Sequence, residues 1–540
     1  MNLESEIEKL FYELVSIKSD TGTILEKDIE KFIYHKLSKY SYFKEHPNLY
    51  GMFDLNDHLN RQVIWGLLKG ETKETIILLH HHDAVDTFDF GKYEEYALQP
   101  KKLKSIFRDL NFNEEISEDL KSDDWCFGRG TCDMKAGAAI QMELLKYYSQ
   151  LDNFQGNILL LSVPDEETYS SGMRSSIELL NTLKRKYNLH YKLLINSEPH
   201  ERSIKNEGTY YDGSVGKLMP IVYVKGRKSH IGQIFSGLNP LSILSRIAIK
   251  TETNMSFSDQ IGDNISPPPS WSYLKDFKKS YDASIPEAAG GYFSVLTLTQ
   301  TPKDILKKLK IISEEAFKEA ILQLNNEYNH FKTDESSIDI EIKVMFFSEI
   351  YNLAKEKHGE TFEKIYENTI EEIKEEIANG DTIMPNSNFK LIKKTLDYID
   401  DPNPIVVISI SPPYYPHVSN DFLETDEKVD NIHQVITQSA KAFDETYRLQ
   451  KYFMGISDLS YTSLNNSKEV VPYIKNNMPL WDHLYDINFE GLKNLNIPVV
   501  NVGPWGKDLH KLTERVNLVD LKNHTPKIIM DIIKSVLIEK

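Results

Sequence analysis

Short, uninterrupted apolar runs separated by helical periodicity fill residues 1–213. Thr75-Ile-Ile-Leu-Leu79, Asn157-Ile-Leu-Leu-Leu-Ser-Val163 and Tyr191-Lys-Leu-Leu-Ile195 lack the alternation of half-exposed strands. With helical stretches between them, such as Ala136–Gln150, they predict parallel strands covered on both faces. This is the pattern of an α/β sheet domain. The character then changes. Lys217–Val224 and Tyr292–Thr299 read as strands, and Asn239–Lys250 as a helix. Ile265-Ser-Pro-Pro-Pro-Ser-Trp271 breaks any regular element. Residues 303–325 predict an amphipathic helix with Ile305, Leu309, Ile312, Ala316, Ala320 and Leu324 on one face. Alternation over Ser337–Phe347 predicts a half-exposed antiparallel strand. Residues 349–380 read as helical, and the acidic run Glu371-Glu-Ile-Lys-Glu-Glu376 as a solvated face. From about 401 the α/β pattern returns and includes Ile497-Pro-Val-Val-Asn-Val502. The reading is a discontinuous α/β domain, 1–213 and 401–540, interrupted by an α+β block, 214–400.

A chain of 540 residues is expected to form two or three domains. The formal net charge of −18, with no basic patch, argues against nucleic acid and anionic membranes. No run reaches the roughly 18 apolar residues that span a bilayer. The N-terminus, Met1-Asn-Leu-Glu-Ser-Glu-Ile-Glu-Lys-Leu10, is acidic and amphipathic, unlike a signal peptide. Only Cys126 and Cys132 are present. A large chain needs no bridge between them, so the expectation is a reduced, cytoplasmic protein. No His or Cys spacing supports Cys132 as a ligand or nucleophile.

The ends of the apolar runs change the picture. After Val163 come Asp165-Glu166-Glu167. Two adjacent carboxylates at the end of a buried strand are expensive to desolvate, so a cation is expected to compensate them. Leu79 is followed by His80-His81-His82-Asp83, and Ile195 by Asn196-Ser-Glu198-Pro199. Val502 leads to Gly503-Pro-Trp-Gly506 and His510. Gly128-Arg-Gly-Thr-Cys-Asp133-Met-Lys-Ala-Gly137 turns into the helix at Ala136. Ligands of open α/β sheets gather beyond the carboxyl ends of the strands, and His, Asp and Glu bind divalent metals. Blander roles exist for each. His80 and His82 cannot both face a metal with His81 and read as packing. Asp133 could cap the helix, Glu198 could be a turn carboxylate, and His510 with Glu514 could sit in a solvated loop. Trp125, Trp505, Tyr414 and Tyr415 read as packing before pocket lining.

Taken in order, these blocks resemble the signature motifs of the M20 metallopeptidase family. The length and the segment Ser411-Pro-Pro-Tyr-Tyr-Pro-His417 are most similar to its RocB branch, the arginine-utilisation type. The resemblance implies a catalytic α/β domain of mostly parallel sheet, of the phosphorylase/hydrolase-like kind. It also implies an inserted α+β lid that dimerises. It implies two divalent ions, zinc with manganese or cobalt as alternatives. His81 and Glu198 would hold one, Glu167 and His510 the other, and Asp133 would bridge. Asp83 would orient His81 and Glu166 would be the general base. Val224-Lys-Gly226-Arg-Lys-Ser-His230 resembles the lid block whose His stabilises the oxyanion in the partner subunit's site, which implies a homodimer. Gly455-Ile-Ser-Asp458 resembles a structural block. His80 stands where the family has a small residue, and no lid arginine for a substrate carboxylate is evident beyond Arg227 and Arg246. The expected activity is hydrolysis of an amide bond in a dipeptide or N-acyl amino acid. An aminopeptidase or dipeptidase of the same family is the alternative. A catalytically inactive binding protein fits less well, because every ligand and the base are present.

Overall fold

The computed structural model describes residues 2–332 and 338–537. The chain divides into two compact units. The first comprises Met1–Ser214, Val418–Leu464 and Asn488–Lys540; the second comprises Val215–His417 and Asn465–Ile487.

The first unit is built on an eight-stranded mixed sheet. Its strands are β1 (Tyr50–Asp54), β2 (Gln62–Leu68), β3 (Glu74–His81), β4 (Asn157–Val163), β5 (His190–Asn196), β6 (Glu207–Tyr211), β7 (Thr446–Gln450) and β8 (Val499–Asn501). The order is β1-β2-β4-β3-β5-β8-β6-β7. The central four, β4-β3-β5-β8, are parallel. Their uniform apolar character follows from burial of both faces. Ile76 and Leu78 on one side, and Ile77 and Leu79 on the other, are all inaccessible. Helices Leu3–Val15, Ala136–Tyr148 and Thr525–Leu537 contribute to the core that takes in Ile76, Leu78, Ile158 and Leu160. Register brings the carboxyl ends together, with β3 and β4 running two residues beyond β5 and β8. His81 pairs with Val163, Leu79 with Asn196, and Asn196 with Asn501. The residues that follow these strands therefore leave the sheet along one edge.

The second unit holds a five-stranded sheet in the order Ser270–Asp276, Ala288–Thr297, Gly216–Lys225, Ile405–Tyr415, Val344–Phe346. Strand Ile405–Tyr415 was expected with the outer domain, beyond 400. It pairs along its length with Gly216–Lys225 and belongs to this unit. An apolar run reads the same in either domain, and only its pairing partner assigns it. The expected strand over Ser337–Phe347 is confined to Val344–Phe346 and is parallel to its neighbour, not antiparallel. Its first residue, Ser337, lies outside the described residues. The amphipathic helix runs Pro302–Phe331, opened by a Thr301–Asp304 capping box. Ile305, Leu309, Ala316 and Ala320 of its expected face are buried, while Ile312 and Leu324 are half-buried. The helical stretch over 349–380 is two helices, Phe347–His358 and Glu360–Ala378, parted at Gly359 with φ +52°. No helix among the described residues is long and apolar enough to cross a membrane.

Close backbone approach just beyond the ends of β5 and β8 demands glycine. A Cβ on Gly503 would sit 2.1 Å from the Glu198 carbonyl oxygen and 2.5 Å from that of Ser197. Gly503→Ala is expected to lose about 1–3 kcal/mol, as overpacked sites do. Urea unfolding reads this directly, and an unchanged midpoint would contradict the packing described.

Candidate metal centre

Five segments bring side chains together at the carboxyl edge of the first sheet. His81 is the last residue of β3 and is buried. Asp165-Glu166-Glu167 follows β4, and Glu198 follows β5. Asp133 lies in the wide turn Thr131–Lys135 that precedes helix Ala136–Tyr148. His510 arrives from the loop after β8. Both Asp165 (φ +69°) and His510 (φ +62°) adopt the left-handed backbone region that non-glycine residues rarely occupy, so surrounding contacts must hold them there.

Asp133 occupies the middle. Its Oδ1 is 3.0 Å from His81 Nε2, and its Oδ2 is 3.0 Å from His510 Nε2. Each histidine has a second carboxylate: Glu198 Oε1 lies 3.5 Å from His81 Nε2, and Glu167 Oε2 lies 3.1 Å from His510 Nε2. Potential ligand atoms of His81, Asp133 and Glu167 lie within 4.8 Å of one another, and so do those of His81, Glu166 and Glu198. Glu166 and Glu167 thus face different parts of one cluster. The side chains expected as ligands are brought together, with Glu166 beside them. The helix-cap alternative for Asp133 fails, because helix Ala136–Tyr148 has no side-chain cap and both oxygens of Asp133 face histidines.

Electrostatics show what the cluster lacks. Burial pushes Glu166 and Glu198 well above the usual carboxylate range, and Glu167 to about 7. His510 is raised to about 11 by its contacts with Asp133 and Glu167. Burial opposes charge on His81, but Glu198 and the contacts with Asp133 and Asp83 raise its proton affinity well above the ordinary value. Burial also opposes charge on Asp133, yet its contacts with His510 and His81 hold it low. Protons do here what a cation would do better. Glu167 Oε1 is buried without a hydrogen-bond partner. The donor set of two imidazoles and three carboxylates suits zinc, manganese or cobalt. The residues therefore fit a divalent ion at each end of Asp133.

The surroundings fix these groups. His81 Nδ1 donates to the Asp83 main-chain carbonyl at 3.0 Å, leaving Nε2 towards Asp133. The Asp83 carboxylate is farther from that ring, at 3.5 Å. It instead accepts the backbone N–H of Glu166 and of Glu167, each at 3.2 Å. Orientation of His81 thus comes first from the Asp83 backbone, while the carboxylate clamps the glutamate loop. Asp165, the first carboxylate of its run, has its cation within the protein. Arg61 Nη1 donates to Asp165 Oδ1 at 2.8 Å and to Glu26 Oε1 at 2.9 Å, all buried. Glu26 Oε2 accepts the Asp165 N–H. Arg61 and Glu26 carry no motif, so nothing in the sequence marked them.

Other expected residues fall elsewhere. His80 meets Gln141 and His82 meets Ser162; burial keeps both neutral, at about 4 and about 3. Asp458 is buried and its proton affinity is raised to about 7 by burial. His230, in the second unit, is exposed, and its Nδ1 accepts the Gly232 N–H at 3.1 Å. Arg246 is tied to Ser242 and Gln323. Trp125 packs edge-on against Trp505 with centroids 4.7 Å apart, and Tyr414 and Tyr415 are buried, so these aromatics pack. Cys126 and Cys132 are free thiols. A third His/carboxylate group, Glu445, Asp520 and His524, already holds Arg202 at 2.6 and 2.7 Å from its carboxylates and needs no metal.

The sequence profile of peptidase family M20/M25/M40 matches residues 110–471. YqjN of Bacillus subtilis (strain 168) is 31% identical over 522 residues, covering 95% of this chain and 93% of that protein. Protein RocB of the same organism is 30% identical over 530 residues, covering 96% and 92%. The fold is similar to that of aminopeptidase PepT from Bacillus cereus ATCC 10987, with a TM-score of 0.54 and 13% identity over 99% of this chain and 98% of that one. The chain belongs to the M20/M25/M40 peptidase family and is RocB-like.

Groups whose proton affinity is raised by folding bind more protons folded than unfolded, so stability falls as pH rises through the interval between the two values. Between about pH 6.5 and 8, Glu166, Glu198, Glu167, Glu26 (about 9), His81 and His510 all act in this sense. The neutral buried histidines titrate below that window. Chelator-treated protein is expected to lose thermal stability from pH 6.5 to 8, and added zinc to raise the melting temperature more at pH 8. A metal-free melting temperature that climbs over this range would refute the electrostatic picture.

Proposed function

We propose that this M20-family chain is a cytoplasmic, two-metal amidohydrolase acting on a small substrate with a free carboxylate, a dipeptide or an N-acyl amino acid. The observation that carries the reading is Asp133, with each carboxylate oxygen 3.0 Å from a different histidine. His81 and Glu198 would hold one ion, Glu167 and His510 the other, and Asp133 both. Zinc is the favoured metal, with manganese or cobalt as alternatives. When bound, the ions acidify a water and polarise the scissile carbonyl.

The protein's own groups handle the rest. Glu166, pushed by burial towards holding a proton, accepts one from the attacking water at its carboxylate and returns it to the departing amine. The Asp83 carboxylate keeps Glu166 and Glu167 facing their separate tasks through their backbone N–H groups. His230, whose Nδ1 is already an acceptor, carries its proton on Nε2 when neutral and has a donor for an oxyanion. By the family resemblance that donor serves the partner subunit of a homodimer. The preference for a free carboxylate rests on the family resemblance, in which a glutamate at the Glu198 position goes with the carboxypeptidase and deacylase members and an aspartate more often with aminopeptidases, and a link to arginine use rests on the resemblance to the RocB branch.

Mass spectrometry across dipeptides and N-acyl amino acids, with zinc, manganese or cobalt added, tests the substrate class. Cleavage that needs the carboxylate supports the reading, whereas cleavage that needs a free amine moves it to an aminopeptidase. Glu166→Gln is expected to keep its metal and lose at least ~10² in kcat. Glu167→Ala should lose an ion as well. Normal turnover in Glu166→Gln would remove Glu166 as the base. His230→Ala should keep both ions and lose ~10² or more in kcat; unchanged turnover would remove its oxyanion role.

A further inference from the structure

Asp133 and His510 are far apart in sequence, yet their loops leave the same rung of one ladder. Strand Trp125–Phe127 pairs antiparallel with Arg515–Asn517, and Phe127 faces Arg515. Gly128 N–H donates to the Glu514 carbonyl at 3.0 Å. Beyond that rung one loop runs to Asp133 and the other runs back to His510. Glu514 is fully buried between them. Its Oε1 accepts the backbone N–H of Cys132 at 3.2 Å and of Asp133 at 3.5 Å. Its Oε2 accepts Arg129 Nη1 at 2.9 Å. Arg129, also buried, reaches the His510 carbonyl at 3.5 Å and Asp89 at 2.6 Å through Nη2, and the Asp86 carbonyl at 2.9 Å through Nε.

His510 needs such support. Its side chain is 49% exposed, against 1% for His81, so packing does little to fix it, and its backbone sits at positive φ. We propose that Glu514 and Arg129 are a positioning pair that delivers Asp133 and His510 to the metal centre as one unit. Neither touches the reacting atoms. One carboxylate holds the amides of the bridging ligand's turn, and the guanidinium it pairs with holds the carbonyl of the distal histidine. This rests on the two-metal reading for its consequence, but not for its geometry.

Two measurements on the full chain separate the two. In metal-free protein, Glu514→Ala is expected to speed amide hydrogen exchange in 128–135 and 507–513 together. Competition with a chromophoric chelator should show one zinc ion bound roughly 10–100-fold more weakly than in wild type, the usual cost of removing a group that orients a ligand. Excess zinc should then recover turnover, which a general loss of folded protein would not allow. If Glu514→Ala does not fold, Glu514→Gln, which keeps an acceptor but loses the charge paired with Arg129, takes its place with the same expectations. Exchange unchanged in both segments, or loosened in one only, overturns the pair. Unchanged zinc affinity with both segments loosened overturns its role at the metal. Wild type that binds fewer than two zinc ions defeats the two-metal reading instead, and exchange alone then decides the clamp.

Discussion

The structure depends on how a dense set of buried carboxylates is kept from destroying the fold. Glu166, Glu167, Glu198, Asp133, Asp83 and Asp458 crowd around two histidines, and the arginines beside them are committed elsewhere, Arg61 to Asp165, Glu26 and Asp57, and Arg129 to Glu514 and Asp89. Isolated charges in such a place would cost far more than the few kcal/mol by which a protein is stable. Two outcomes are open to the cluster. It can retain protons, as the raised proton affinities of Glu166, Glu198 and both histidines show, or it can take up cations. The adjacent carboxyl ends of β4, β3, β5 and β8 make the second possible, because they bring ligands from distant segments to one edge of the sheet.

Not every carboxylate near the centre faces it. Asp83 spends its oxygens on the backbone amides of Glu166 and Glu167, and Glu514 spends one on those of Cys132 and Asp133 and the other on Arg129. Asp165 takes an arginine and the N–H of Ser171. A carboxylate whose oxygens are already taken by such bonds is held where it sits and does not compete for the ion. The centre thus has two layers of like charge with opposite duties: one layer is left short of partners, and the other is fully partnered and fixes the first.

Much of this was legible in the chain. The uniform apolar runs marked β3, β4 and β5 because burial on both faces leaves no alternation to read. The chemistry was legible because His81, Asp133, Glu166, Glu167, Glu198 and His510 each sit at or beyond a strand end, where motif and fold coincide. Domain membership of Ile405–Tyr415 was not, since strand pairing is a tertiary choice. The two-helix break at Gly359 was hidden inside a continuous helical composition. Arg61 and Glu26 were invisible for a similar reason: a lone arginine before a strand and a glutamate in a surface-like helix become one buried contact only when β2 is folded against them.

The run Asp165-Glu166-Glu167 shows why composition cannot finish the argument. Sequence alone marks a run of acids at a strand end, with adjacent carboxylates that need a cation. In the fold, the positive φ of Asp165 turns the first away, to Arg61, and the peptide direction parts the other two. Glu167 meets Asp133 and His510, and Glu166 meets His81 and Glu198. A single residue in an unfavourable backbone region therefore decides which acid is structural and which acids face the reaction. Arg61 compensates the Asp165 carboxylate while Glu26, held by the same arginine, accepts the Asp165 N–H, so charge compensation and backbone geometry are coupled here.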